Sequence, residues 1–464
     1  MNYSTKKRSA CQLHILLNSF TQLSGLPFAA LLTEQQLEPL VVQATGNIYT
    51  PLVTLWMFLS QVISPDGSCR DAIARFLSWR AQNGQDVCSA NTGAYCKARR
   101  KLNEDTLKTL VVDTGNQLHQ TAEPEWLWKG RSVKMVDGTT FTATDTPENQ
   151  RAYPQPDGQQ AGLGFPMLRA VALISLAVGT VLDMAISPYS GQGTGEVSLL
   201  RKLWDSLQSD DLLIGDKIYC SYPEIAVLAA RNVNFVLPRN ASRKTNFRKG
   251  KRLGRRDHVV TWTKPRTRPA RLSAEEWAEV PETLTLREVE IRLQRRGFRG
   301  KTMVVVTTLL DATEHTAEDF GELYAMRWEI EVDFRSIKTA LDIGELRCRT
   351  PDMVRRELWT SLLAYNLLRG HMANAALHKG ISPREISFKG TMQTLTAFLF
   401  PLSQCKADDF SPMYEAMLTA MASHRVGNRP GRQEPRKVKR RPKHDRLTEP
   451  RIKARKKITK FVKI

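Results

Sequence analysis

Residues 323–341 read LYAMRWEIEVDFRSIKTAL, with three acids, Glu329, Glu331 and Asp333, inside five positions, Arg327 before them and Lys338 after. A continuous helix turns about 100° per residue. With Tyr324 at zero, Arg327 falls near ~300°, Glu331 near ~340° and Lys338 near ~320°, a single stripe. Glu329 near ~140° and Asp333 near ~180° fall on the opposite side, and Trp328 near ~40° lies at the edge of the stripe. Helical phase thus singles out Glu331 as the acid flanked by Arg327 and Lys338. On its own such a stripe also describes a surface helix laced with ion pairs.

Working outward, two aspartates change the weight of that helix. Asp137 sits within the alternating stretch RSVKMVDGTTFTAT, and Asp216 closes the apolar run before DKIY. Acids at the ends of buried strands lie at the mouth of a sheet, where ligands bind. Two such aspartates and one helix glutamate make an oxygen-only donor set suited to Mg²⁺ or Mn²⁺. Two ions together can activate a nucleophile and stabilise the leaving oxygen of an in-line phosphoryl transfer.

The surrounding pattern predicts an α/β protein. Strand RSVKMVDGTTFTAT is followed by an apolar hairpin around Gly179, a helix at 193–207, strand DLLIGDKIY, helix SYPEIAVLAARN and strand VNFVLPRN. That order is the order of a ribonuclease-H-like core, although other α/β folds accommodate it. Five regions follow: a helical, DNA-binding N-terminal domain (1–125); the first part of the core (126–236); a basic β-rich insertion (237–301); the second part of the core with C-terminal helices (302–424); and a basic, disordered tail (425–464).

Charge points to the partner. The net charge is +21, which suits a polyanion, because each neutralised phosphate releases counterions. Between Arg239 and Arg271 there are thirteen Lys/Arg against one acid, Asp257, and the tail holds seventeen against three. Candidate DNA contacts in the insertion are Arg252, Arg255 and Arg256, within RKGKRLGRRD. A basic helix capped by Ser89 or Asn91 and bearing Tyr95, Lys97, Arg99, Arg100 and Lys101 suits a groove or a phosphate backbone. His258 is expected to be a satisfied structural histidine, and Glu196, in GTGE, a structural helix cap. Seven dispersed cysteines without metal-ligand spacing read as free thiols of a reducing compartment. The start, MNYSTKKRSACQLHILLNSF, does not read as a signal peptide, and no stretch suits a membrane span. The expectation is a cytoplasmic, nucleoid-associated protein.

These motifs resemble the DDE transposases of the insertion-sequence-four family. That family's signature is Tyr, two residues, Arg, three residues, Glu, six residues, Lys, and Tyr324, Arg327, Glu331 and Lys338 fit every gap. VDGTT is similar to its first catalytic block and IGDKIYCSY to its second. The resemblance implies a ribonuclease-H-like core interrupted by a β-rich insertion, and a metal-binding triad of Asp137, Asp216 and Glu331 for two Mg²⁺ or Mn²⁺ ions. It implies that Tyr324, Arg327 and Lys338 hold DNA phosphates beside the cleaved end and that Trp328 accommodates an unstacked base. The second block often reads Asp-Arg. Lys217 replaces that arginine here, keeping the charge and losing bidentate phosphate contact. The implied partners are the element's terminal inverted repeats, target DNA and a second copy of the chain. A silent DNA-binding descendant and a nuclease of the same core are the alternatives.

Overall fold

The computed structural model describes residues 28, 31–41, 47–160, 162–293, 301–404, 407–426 and 449–461. The N-terminal segment weighed as a signal peptide lies outside the described residues. So does 427–448, most of the expected disordered tail.

Before the first strand come helices α1 (Pro51–Ile63), α2 (Cys69–Gln82), α3 (Thr92–Lys101) and α4 (Glu104–Gln120). Each opens on a short polar residue whose side-chain oxygen accepts an otherwise orphaned amide: Thr50, Ser68, Asn91 and Asn103. On α3 the basic residues divide. Arg99 is buried, its guanidinium 4.8 Å from the Phe58 ring centroid, while Lys97, Arg100 and Lys101 face solvent.

One mixed sheet organises the rest. Strands β1 (Val133–Ala143), β2 (Met167–Ser175) and β3 (Val181–Pro188) form an antiparallel meander. Gly179 makes the β2–β3 turn at φ 78°, where a Cβ would lie 2.8 Å from the Arg369 guanidinium carbon. Glycine is required there on both counts. Helix α5 (Glu196–Arg201) leads to β4 (Leu212–Ile214), and α6 (Tyr222–Ala230) to β5 (Asn234–Pro238). β4 lies parallel to both β1 and β5.

The basic segment adds β6 (Lys251–Gly254), β7 (Asp257–Thr263), β8 (Thr283–Leu293) and β9 (Lys301–Thr307). They extend the same sheet in the order β3-β2-β1-β4-β5-β9-β8-β7-β6. Helices α7 (Ala317–Met326) and α8 (Glu329–Arg335), the short β10 (Glu345–Leu346), α9 (Pro351–Lys379), α10 (Phe388–Gln404) and α11 (Ala407–Ser423) complete the body.

Alternation along the strands sends side chains into two cores. Val133, Met135 and Phe141 of β1 and Leu168, Ala170 and Ala172 of β2 pack with Leu362 and Leu363 of α9. Val136, Val171 and Leu173 point the other way, toward Leu199 of α5 and Ile225 of α6. Helices cover both faces of this part of the sheet.

Two expectations need correction. The stretch 323–341 is not one continuous α-helix. At Arg327–Trp328 the amides of Arg327, Ile330 and Glu331 bond three residues back, a tighter turn. Over Ser336–Ala340 the ladder widens into a π-turn, with the Leu341 amide reaching Ser336. The tail is also not wholly without structure. Arg451–Phe461 forms helix α12, docked by the Arg451 guanidinium 3.8 Å from the Phe165 ring centroid and 3.7 Å from Asp145. Among the described residues no helix is long and apolar enough to cross a membrane.

Candidate active site

A gap in the sheet makes the site. On one edge of β1, pairing with β4 ends at Met135↔Ile214, and pairing with β10 begins only at Thr142↔Glu345. Between those points β1 has no strand on that edge. Asp137 and Asp216 each lie two residues beyond the last β1–β4 pair. Parallel neighbours at equal offsets present side chains on the same face at about the 4.8 Å interstrand spacing. The two aspartates, 79 positions apart in the chain, thus leave the last paired rung at equal offsets, near enough for Asp216 to repel the Asp137 carboxylate.

Helix α8 supplies the third acid. Arg327 stands between the elements: its Nη1 lies 3.1 Å from Asp137 Oδ2 and its Nη2 3.2 Å from Glu331 Oε1. The Arg327 Nε is buried with no hydrogen-bond partner among the described residues. Burial opposes the guanidinium's charge, but Tyr324, Asp137, Glu331 and Asp216 together hold its pKa above the usual arginine value. Burial raises the Asp137 carboxyl. The Gly138 amide and Arg327 oppose that rise, and Asp216 and Glu331 add to it by repulsion. The Gly138 amide donates to Asp137 Oδ1 at 2.8 Å, and the Lys217 amide to Asp216 Oδ1 at 2.6 Å. Three carboxylates thus share one electrostatic environment with one guanidinium among them.

The remaining expected residues divide by position. Tyr324 is buried beside Arg327, and that burial pushes its phenol up to about 12. Trp328 is 43% exposed, with the Arg327 guanidinium 5.7 Å from its ring centroid. Lys338 extends over the Phe141 ring, 5.4 Å from its centroid, at the β10 end of the gap, and burial lowers its pKa. The tight turn and the π-turn alter the phase assumed for a uniform helix, so Lys338 sits along β1 from Glu331. Lys217 is exposed beside Asp216. Arg252, Arg255 and Arg256 lie at the far end of the sheet, on β6 and the β6–β7 turn, with Arg256 2.6 Å from Glu290. His258 is buried between the Lys249 carbonyl, 2.6 Å away, and Glu288, 3.3 Å away, as a structural histidine.

The two discounted acids of the opening stretch have distinct places. Asp333 is fully buried, where the Arg384 Nη1 donates to it at 2.8 Å and Arg369 and Tyr365 also donate. Arg384 in turn donates to the carbonyls of Leu176 and Ser175, both at 2.7 Å. Glu329 reaches Arg384 at 3.7 Å. These contacts lock α8 onto the β2–β3 turn and α9.

Glu196 is not the helix cap expected: Gly195 occupies that position without a side-chain bond. The Glu196 carboxyl rests on Gly138, where a Cβ would come within 2.5 Å of it. Burial, then Asp137, raise its pKa against Arg169, with Asp216 adding a smaller push. The glycine of VDGTT and the glutamate of GTGE were the available signals, and only the fold relates them. Among the described residues no three or more His, Cys, Asp or Glu side chains stand close enough to hold a metal ion as they lie. The donor set itself fits a hard divalent cation: oxygens only, with Arg327 the cation now bridging two of them.

Comparison with known proteins bears on the same region. A family model described as a transposase DDE domain matches residues 128–367, which span the sheet from β1 onward, all of the carboxylates above and part of α9. The transposase InsG for insertion sequence element IS4 of Escherichia coli (strain K12) is 28% identical over 355 residues, covering 75% of this chain and 76% of that protein. The putative transposase InsL for insertion sequence element IS186A, also of Escherichia coli (strain K12), is 31% identical over 109 residues, 22% of this chain and 29% of that one. A cryo-EM structure of a piggyBac transposase synaptic complex with hairpin DNA aligns over 90% of this chain and 87% of that chain, at 12% identity and a TM-score of 0.42.

Proposed function

Because the chain belongs to the DDE transposases, within the insertion-sequence-four family, we propose that it binds the terminal inverted repeats of its own element. It cleaves the ends at Asp137, Asp216 and Glu331 and joins the freed 3′ ends to target DNA by cut-and-paste. The observation that carries this reading is the Arg327 bridge from Asp137 on β1 to Glu331 on α8, in the gap that Asp216 closes. The strand order β3-β2-β1-β4-β5 supports a ribonuclease-H-like core, with β6–β8 as the basic insertion.

Asp137, Asp216 and Glu331 would hold two Mg²⁺ or Mn²⁺ ions. Bound there, the ions supply charge stabilisation at the attacking and leaving oxygens. The chain's own residues do the rest. The Gly138 amide fixes the Asp137 carboxylate. Arg327, which bridges Asp137 and Glu331, would present its donors to the phosphate beside the scissile bond. Lys338 and Lys217 add positive charge on either side of the gap. Tyr324 buttresses Arg327, and the exposed Trp328 ring stacks on an unpaired base. Arg252, Arg255 and Arg256 follow the duplex outward along the sheet, and α3 takes the repeat on the N-terminal side. Two element ends held at once call for two copies of the chain on DNA.

Purified protein, Mg²⁺ or Mn²⁺ and labelled DNA bearing the element's ends test the whole. Glu331→Gln abolishes cleavage and keeps DNA binding, whereas Glu329→Gln keeps both. The reverse pattern sinks the assignment. Cleavage without joining would make the protein a nuclease, and binding without cleavage a silent descendant.

A further inference from the structure

Glu196 and Tyr219 form a polar back wall to the cleft that the carboxylate triad leaves unused. The wall lies across the sheet from α8, on the face that α5 covers. Glu196 opens α5, and its carboxyl sits directly on the Cα of Gly138, the residue after Asp137. Tyr219 lies three residues beyond Asp216, in the turn that follows β4, and its ring packs under Gly215. Both residues therefore flank the gap where β1 and β4 part.

The Tyr219 side chain is fully buried and its hydroxyl has no hydrogen-bond partner among the described residues. A buried hydroxyl left unpaired is costly, so such a group usually points at something bound. After burial, the charged groups acting on it are Glu196 first, then Asp137, Asp216 and Arg327. A buried, unpaired hydroxyl within the electrostatic reach of three acids is suited to ordering water near them.

Gly138 carries an independent sign of the same design. Neither its φ nor a turn requires glycine, for it lies within β1 paired to Val171. A Cβ at 138 would lie 2.5 Å from the Glu196 carboxyl, so a side chain there would push that carboxyl aside. The bare Cα leaves room for a carboxylate one residue from Asp137.

We propose that Glu196 and Tyr219 are positioning residues of the catalytic cleft, holding water molecules of a hydrated divalent cation whose direct ligands come from Asp137, Asp216 and Glu331. Mg²⁺ and Mn²⁺ keep several waters, and carboxylates that fix those waters tune affinity without ligating the ion. This inference rests on the triad reading above.

The test uses the full-length chain without DNA, with Mn²⁺ binding followed by calorimetry and by loss of the free-ion spin-resonance signal. Glu196→Gln weakens Mn²⁺ binding by roughly 10- to 100-fold, and Tyr219→Phe weakens it several-fold. The Mn²⁺ concentration for half-maximal cleavage rises in step, while the rate at saturating Mn²⁺ falls much less. Metal-free DNA binding is unchanged. Asp137→Asn separates the two readings. If it loses Mn²⁺ binding while Glu196→Gln and Tyr219→Phe titrate like the parent, the back wall is structural and this inference is overturned. If Asp137→Asn also binds normally, the triad reading fails first. Should Glu196→Gln not fold by circular dichroism, Tyr219→Phe and Glu196→Asp decide in its place, and normal Mn²⁺ titration by both overturns the proposal.

Discussion

Glu331 and Asp333 stand two residues apart on α8, and each is paired with arginine. Glu331 is 38% exposed and shares Arg327 with Asp137, whereas Asp333 is wholly enclosed by Arg369, Arg384 and Tyr365. The chemistry is the same, but the solvent is not. A buried acid that loses its charge leaves two arginines without a counter-ion, so Asp333 is committed to the fold. A half-open acid on a bridging arginine can exchange that partner for a cation, which leaves the arginine open to a phosphate. The proposed site sits on the more exposed of the two assemblies, and the buried one anchors α8 beside it.

The largest effect that could break this contrast is catalytic. Glu331→Gln is expected to slow end cleavage by roughly 10³-fold or more, about 4 kcal/mol on the barrier, with an unchanged denaturant midpoint. Next comes stability. Asp333→Asn should cost about 3–5 kcal/mol, read as a lower denaturant midpoint, and any cleavage loss should track the unfolded fraction. If Asp333→Asn were stable but inactive, the two assemblies would not be separate in role.

Acid comes third. Burial lowers the pKa values of His119 and His371, each to about 4, below the ~6.5 of an unfolded histidine. The unfolded chain therefore binds these protons first. The stability contribution is complete above the unfolded value and drains away as pH falls from there toward about 4. At pH 5 each histidine should cost roughly 2 kcal/mol, measured as a falling melting temperature. His371 lies two residues beyond Arg369 on α9, so acid tests the buried assembly's side of the molecule. Smallest is Glu329→Gln. Its pairing with Arg384 spans 3.7 Å at a 40% exposed side chain, and its loss should shift stability by less than ~1 kcal/mol and leave cleavage intact.

Sequence legibility followed the range of the interaction. The strands and helices from β1 to β5 are local patterns of period two and period three to four, and they follow in the expected order, though β4 keeps only Leu212–Ile214 of DLLIGDKIY and α5 only Glu196–Arg201 of its expected helix. The spacing of Tyr324, Arg327, Glu331 and Lys338 is also local, and the Arg327–Glu331 pair is realised at four residues' separation. Helical phase sets Glu331 apart from Asp333, and the structure likewise leaves Glu331 half-open and buries Asp333, while Lys338 lies over Phe141. A uniform 100° turn cannot anticipate one tight turn and one wide turn forced by packing on β1. The sequence places Asp333 only on the side opposite Glu331 and gives it no partner, because its arginines come from 36 and 51 residues away.

What the sequence by itself determined was the order of elements, the basic surface and the identity of three candidate carboxylates, because each is written in neighbouring residues. Only the tertiary structure decided where β4 stops pairing with β1, which acid of α8 is entombed and which is open, and that Glu196 leans on Gly138. Those outcomes depend on strand register and on which distant side chains compete for the same buried volume, and no window of neighbouring residues contains that competition.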